Sequence, residues 1–384
     1  MTVQSGDYSV IRYEPHWKEQ VVELQRLLWD PDPAVNSAYF DWKYRHHTGS
    51  ANPLVYLAIQ ENHLVGMRGF STARWQAGHP AALVDFLRAG DLVVAPAHRG
   101  RWLLQRIMSF AEPDLAARDH QLLLNLSASP STYLGSLRQG WRSIGTYDTM
   151  RRETWSGRAT AFTHQNLARI PLLWRLGSPE GRATSPSRAF ARLDRLIGQR
   201  PARIGAVTAT QELRAAAMAS LIQRLDWDGR LRELRSVEFL EWRYQNPLGQ
   251  YRYFYHGEPE LEGYLVLHTR RRASPLNPPP VNIVDWEAVD DRVREELLRA
   301  AITACRPRML DLWAVSCSSS TREQLKAHGF RPIDTTRGLR NYRPSVLIKH
   351  LPAGARRPDH EAVAGRRLED PENWDLRMLY SDNY

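Results

Sequence analysis

A short motif recurs in this chain at a distance of 200 residues, and that repeat restricts the fold more than any other feature. Tyr39-Phe40-Asp41-Trp42-Lys43-Tyr44 returns as Phe239-Leu240-Glu241-Trp242-Arg243-Tyr244, which is apolar pair, acid, Trp, base, Tyr. Each copy leads into an aromatic, apolar segment, LVYLAIQ at 54–60 and YRYFYH at 251–256. A turn follows, then a Gly within an apolar run, HLVGMRGF at 63–70 and LEGYLVLH at 261–268. Two such runs around a short turn read as a β-hairpin. Downstream, Ser129-x-x-Thr132 precedes Gly140-Trp141 with the spacing by which Ser318-x-x-Thr321 precedes Gly329-Phe330, and Asp91-Leu92-Val93-Val94 pairs with Asp285-Trp286-Glu287-Ala288. Three pairs in one order, at offsets of 200, 194 and 189, describe a duplicated domain whose second copy has lost loop residues.

A chain of 384 residues suits about two domains. The expected organisation is a first domain over 1–153, a basic helical linker over 154–203, a second domain over 204–350 and a tail over 351–384. Each copy reads as strand, helix, motif, hairpin, long strand, helix, strand, helix, strand, an α/β (α+β) class. The first helix spans 16–29, with apolar residues at 17, 21, 24 and 28 on one face. Its counterpart lies at 211–225. Within the linker, 167–176 and 187–200 read as basic amphipathic helices.

The formal charge is +10, and nearly all the basic charge is Arg, because Lys occurs only at 18, 43, 326 and 349. Residues 151–203 hold eleven Arg, no Lys and three acids, so most of the excess sits there. A near-neutral remainder argues against a general nucleic-acid coat. No run of about 18 apolar residues predicts a membrane span, and the first residues lack the apolar stretch of a signal peptide, so a cytoplasmic protein is expected. Cys305 and Cys317 have no nearby Cys or His partners, and His46-His47 point apart on any regular element; no metal site is expected.

The chemistry is concentrated at 91–108, DLVVAPAHRGRWLLQRIM. It reads as a buried strand, a tight turn at Arg99-Gly100 and a helix with apolar residues at 103, 104, 107 and 108. A strand that delivers the chain into a helix start forms an anion seat, since the first helical amides lack partners and carry the positive end of the dipole. Arg99 and Arg101 add charge there.

At this point the chain resembles the GNAT superfamily of N-acyltransferases. Val94-x-Pro96-x-x-Arg99-Gly100 is similar to the family's fourth strand and the start of its pyrophosphate loop, and Ser129…Gly140-Trp141-Arg142 is similar to the helix that precedes its Gly-aromatic strand. The resemblance covers most of the first copy and is looser in the second, where no Arg-Gly turn follows Asp285. It implies two tandem GNAT-like domains, each a mixed, mostly antiparallel sheet flanked by helices. It also implies acyl transfer from acetyl-CoA or another acyl-CoA to the amine of a small molecule such as an amino sugar. Val94, Arg99, Gly100, Arg101, Trp102, Leu103 and Leu104 would line the carrier seat. Asp91 is the candidate base and Tyr133 the candidate acid, standing in for a Tyr that the family often places where Ser136 stands. The family's two small loop residues fall on Trp102 and Leu104, so the indole either fills the seat or turns away from it. Two alternatives follow: an aminoacyl-tRNA-dependent transferase of the Fem type, which also pairs two GNAT-like folds and would set the basic helices on tRNA, and a non-catalytic GNAT-like binding protein.

Overall fold

The computed structural model describes residues 8–46, 53–154, 185–198, 200–273, 280–333, 345–351, 361–382 and 384. The helix expected at 167–176, most of the basic segment and His47 lie outside the described residues.

The chain divides into two compact units. The first is built on an eight-stranded sheet. Strands β1 (Ser9–Arg12), β2 (Leu54–Gln60), β3 (His63–Ala77) and β4 (Ala82–Val94) are antiparallel neighbours. β5 (Leu122–Asn125) lies parallel to β4. Helix α3 (Leu103–Ala116) follows β4, and α4 (Pro130–Arg138) precedes β6 (Arg142–Thr146). One sheet face packs on α3 through Tyr56, Phe70, Leu87, Leu103 and Ile107. The other face meets α1 (Lys18–Gln25) and α2 (Pro33–Asp41) through Val21, Leu24, Phe40, Leu57 and Met67. The face expected for the first helix is the one that packs, although the helix is shorter than 16–29. A tighter turn, Pro15–Trp17, precedes it, and Leu27 and Leu28 are held by turn bonds to Leu24 and Gln25.

The second unit repeats this plan. β7 (Thr149–Glu153) is its first strand in chain order. A two-residue ribbon joins β8 (Ser185–Pro186) to β14 (Arg272–Ala273), and α5 (Ala191–Ile197) packs into the core. β9 (Ala202–Ile204), β10 (Val207–Thr210), β12 (Gly249–His256), β13 (Gly263–Arg270) and β15 (Val281–Ala288) are antiparallel neighbours, with β16 (Met309–Trp313) parallel to β15. The helices are α6 (Ala215–Arg224), α7 (Val237–Arg243), α8 (Asp291–Cys305) and α9 (Ser319–Ala327). The short strand β11 (Arg232–Glu233) instead joins β3 of the first sheet.

Two expected boundaries differ from this arrangement. β7, read as the last strand of the first copy, lies between β16 and β17 (Arg331–Pro332) of the second sheet. β18 (Ser345–His350), read as the last strand of the second copy, lies between β5 and β6 of the first sheet. Each copy therefore completes the other's sheet. The residues read as a tail also pack: beyond the ribbon β19 (Ala362–Val363) and β20 (Arg366–Arg367), Trp374 is fully buried against Trp75 and Phe86.

The repeated residues do the same work in both units. Ser129 and Ser318 cap α4 and α9, accepting from Thr132 N at 3.3 Å and Thr321 N at 3.2 Å. Gly140 and Gly329 then close those helices at φ +80° and +86°, a left-handed geometry that a side chain would strain.

Candidate functional site

β4 and β5 run side by side only at Leu87↔Leu123 and Arg88↔Leu124. β5 ends at Asn125 while β4 continues to Val94, so among the described residues no strand lies against the far edge of β4 beyond Arg88. β4 bends there. Its register with β3 slips between Met67 and Gly69, and Asp91 sits in the bulge at φ +48°. Four side chains hold that residue. Asp91 Oδ1 is 2.9 Å from Lys43 Nζ and accepts from Tyr39 O–H at 3.4 Å, while Oδ2 accepts from Tyr44 O–H at 2.9 Å and Gln25 Nε2 at 3.1 Å. The Lys43 and Asp91 side chains are 2% and 0% exposed. The WKY motif is therefore a clamp on β4: Tyr39 lies in the last turn of α2, and Lys43 and Tyr44 lie on the wide helical turn Trp42–His46. Gly69 is required by the same clamp, because a Cβ there would meet the Tyr44 hydroxyl at 1.9 Å.

β4 feeds α3 through 95–102. Gly100 is left-handed at φ +75°, in open space, and Trp102, the residue before the helix, is left-handed at φ +59°. Among the described residues no backbone carbonyl accepts from the amides of Gly100, Arg101, Trp102, Leu103, Leu104 or Gln105; the first such bond is Arg106 N to Trp102 O. Trp102 offers no side-chain cap, whereas α2, α4, α7, α8 and α9 are capped by Asp32, Ser129, Ser236, Asp290 and Ser318. Consecutive amides around left-handed residues form a concave nest for an anion. The indole of Trp102 is 67% exposed.

The remaining expected residues are placed as follows. Val94 is half-buried against the α3 core, and its carbonyl accepts from Arg99 Nε at 3.2 Å, which ties the turn back to the strand. Arg101 Nη1 donates to Tyr8 O–H at 2.7 Å, and that oxygen also pairs with His98 Nδ1 at 3.0 Å. Leu103 is buried. Leu104 leans toward α4 at Gly135, where an added Cβ would lie 3.3 Å from its Cδ2. The large residue at that loop position is accommodated because the facing helix carries a glycine. Tyr133 is half-buried against the α3 core and is not among the partners of Asp91. Ser136 is buried, its carbonyl accepting from Trp141 N.

The second unit has the parted strands and the acid, but its equivalent helix start is capped. β15 and β16 share Val281↔Leu310 and Asn282↔Asp311 before β15 runs on alone. Asp285 is bonded by Arg235 at 2.8 Å and Tyr264 at 2.7 Å. Burial opposes the charge of Glu287 beside it, but Arg377 and Arg235 prevail and hold its carboxyl below the ordinary range. Helix α8 is closed by its own acid, Asp290 accepting from Val293 N at 2.7 Å. Burial pushes the Cys305 thiol up to about 12 and Cys317 to about 11, so neither is a ready thiolate. Among the described residues no group of His, Cys, Asp and Glu could hold a metal, and no helix is long and apolar enough to cross a membrane.

Solved structures share this fold. A GCN5-related N-acetyltransferase from Anabaena variabilis superposes with a TM-score of 0.55 at 9% identity, over 90% of this chain and 73% of that one. A probable N-acyltransferase from Enterococcus faecalis gives 0.56 at 11% identity, over 90% and 72%. A tandem GNAT protein from the clavulanic acid biosynthesis pathway gives 0.50 at 12%, over 91% of this chain and all of that one. This chain has the tandem GNAT fold. No family model and no curated protein matches it by sequence. The first unit thus brings Arg99, Gly100, Arg101 and the uncapped start of α3 together, while Lys43, Tyr39, Tyr44 and Gln25 form a cluster to which the sequence pointed only through the repeated motif. The signal available was Lys43 itself, a Lys inside a repeated motif of a chain that otherwise uses Arg.

Proposed function

We propose that the chain is an N-acyltransferase that takes its acyl group from acetyl-CoA or a related acyl-CoA, bound by the first unit, and passes it to an amine of a small molecule. The row of unclaimed amides from Gly100 to Gln105 carries this reading. Arg99 precedes that row and Arg101 lies within it, and the Trp102 indole is largely exposed. These donors suit a diphosphate: charge-assisted hydrogen bonds contribute about 1.5–3 kcal/mol each. The thioester supplies an acyl group already activated toward amines. The chain supplies the diphosphate seat and the free edge of β4, whose backbone groups can bond an extended, amide-bearing arm.

An alkyl amine is neutral in only about one molecule in a thousand at pH 7, a cost of about 4 kcal/mol, so a route for its proton is needed. Asp91 is fully enclosed by four donors, and its part in this scheme is to fix the bend of β4. Tyr133 remains the side-chain candidate for handing a proton to the departing sulfur, with solvent water accepting the proton of the amine.

Calorimetric titration of the full chain with acetyl-CoA tests the reading. Binding is expected, and Gly100→Val should weaken it about tenfold or more, because a β-branched residue resists φ +75° while its Cβ meets no core atom. Absence of heat with the wild-type chain overturns the proposal. A thermal shift with tRNA and none with acyl-CoA would transfer the assignment to the Fem-type alternative.

A further inference from the structure

In the second unit a segment of the chain itself lies across the parted strands. Residues 375–382 pass from the end of β16 to β15. Beyond β16, Ser316 Oγ accepts from Leu376 N at 2.6 Å and donates to Leu376 O at 3.2 Å, meeting both backbone groups of one residue as a neighbouring strand would. On β15, Arg377 Nη1 donates to the Trp286 carbonyl and to Asp285 Oδ1, both at 3.1 Å, and Nη2 lies 2.9 Å from Glu287 Oε1. The turn Met378–Tyr380 is buried beside β15. Arg243, the motif's base in this copy and itself fully buried, donates to Leu379 O at 2.7 Å, to Ser381 O at 2.5 Å and to the Tyr384 carbonyl. The Tyr384 ring stands edge-on to Trp313 of β16 at 5.6 Å.

We infer that residues 375–382 with Tyr384 are an internal ligand of the second unit, filling the gap that the first unit uses for its acyl carrier, so that each chain binds one carrier. This rests on the reading of the first unit given above. The chemistry of the gap selects such an occupant. Asp285 and Glu287 face it, Arg235 is their nearest resident cation, and Arg377 of the segment supplies a second. A cationic, extended peptide suits two buried carboxylates, and a diphosphate does not. Asp290 already takes the helix end where that diphosphate would sit. The base of the repeated motif has changed task accordingly: Lys43 binds the bulge acid, whereas Arg243 binds the carbonyls of the segment.

Hydrogen exchange read by mass spectrometry on the full chain, combined with calorimetry, tests the inference. The amides of 376–381 should be protected in the free protein and remain so at saturating acetyl-CoA, with one equivalent bound per chain. Arg377→Gln should accelerate their exchange by about tenfold or more. Unprotected amides in the wild-type chain overturn the inference, as does a second equivalent of acetyl-CoA that survives Gly100→Val. Protected amides without any acetyl-CoA binding leave the internal ligand standing and remove only the first-unit assignment.

Discussion

Lys43→Met should destabilise the first unit more than any single surface change. Lys43 Nζ lies 2.9 Å from Asp91 Oδ1, and both side chains are out of solvent. Removing one member of a buried ion pair leaves an uncompensated charge and costs about 3–5 kcal/mol. The other three donors on Asp91 are neutral and remain, which pulls the expected loss toward the lower figure. Lys43 also donates to Tyr39 O–H at 3.2 Å and lies 5.4 Å and 5.3 Å from the Tyr39 and Tyr44 ring centroids, contacts worth about 0.5–1 kcal/mol each, which push it back up. A total of about 4.5–5 kcal/mol is expected. The double variant Lys43→Met/Asp91→Asn removes the stranded charge and should recover about 2 kcal/mol of that loss. The assay is urea unfolding followed by exchange of β4 peptides, since two units need not unfold as one transition. Arg74→Met is the control: the Arg74–Asp85 pair is exposed and should cost less than about 1 kcal/mol. A Lys43→Met loss below about 1 kcal/mol, or strict additivity in the double variant, would refute the clamp.

Trp102→Gly should leave stability within about 1 kcal/mol of the parent, because relief of left-handed strain, about 1–2 kcal/mol, is offset by the entropy of an added glycine. It should also retain acetyl-CoA binding, and a calorimetric loss would show that the indole itself holds the carrier. Trp102→Asp should abolish that binding by placing a carboxylate over the seat, as Asp290 does in the second unit; unchanged affinity would argue against the amides. Ser129→Ala and Ser318→Ala should each cost about 1 kcal/mol in denaturation midpoints, and a difference well above that would break the equivalence of the two caps. His268 is buried, and burial with Arg243 and Arg270 nearby holds its pKa well below the ordinary value, so it is neutral in the fold. Its unfolded form gains a proton below about pH 6.5, so its contribution is complete above that pH and falls by up to about 1.4 kcal/mol per unit as pH drops. Comparison of wild type with His268→Gln at pH 7.5 and 5.5 should show the wild type losing more on acidification.

Much of this molecule was legible because its duplication is written in local chemistry. Ser-x-x-Thr caps, Gly-aromatic exits and the acid of the long strand are decided by neighbours a few residues away, so their order survived in the sequence and named the fold. Strand exchange was not legible. Nothing within Thr149–Glu153 or Ser345–His350 says which of two similar sheets a strand joins; that choice rests on distant pairings such as Asp311↔Arg151 and Leu347↔Asn125. The 361–382 segment misled for a related reason. The stretch that leads into it, PAGARRPDHE at 352–361, reads as a linker, and Trp374 and Leu379 are explained only by the hollows they fill. At the site, Arg99-Gly100 and the helix start were readable, but the direction of the Trp102 side chain depends on its own φ, which no spacing rule supplies.

The two units differ at the residue before one helix, and the proposed carrier seat of the first unit rests on that difference. Asp290 stands in extended backbone and gives its carboxylate to α8, an arrangement worth about 1 kcal/mol to the fold. Trp102, in the same place before α3, gives nothing, and its left-handed backbone costs about 1–2 kcal/mol more. A fold accepts such losses where something else recovers them, and at a helix start with Arg99, Arg101 and Arg106 close by in sequence the partner we propose is an anion from outside. The second unit satisfies the same helix end from within and closes the same gap with its own backbone. On the proposed reading, one copy gives up stability to keep a seat open, and the other recovers that stability by closing the same gap.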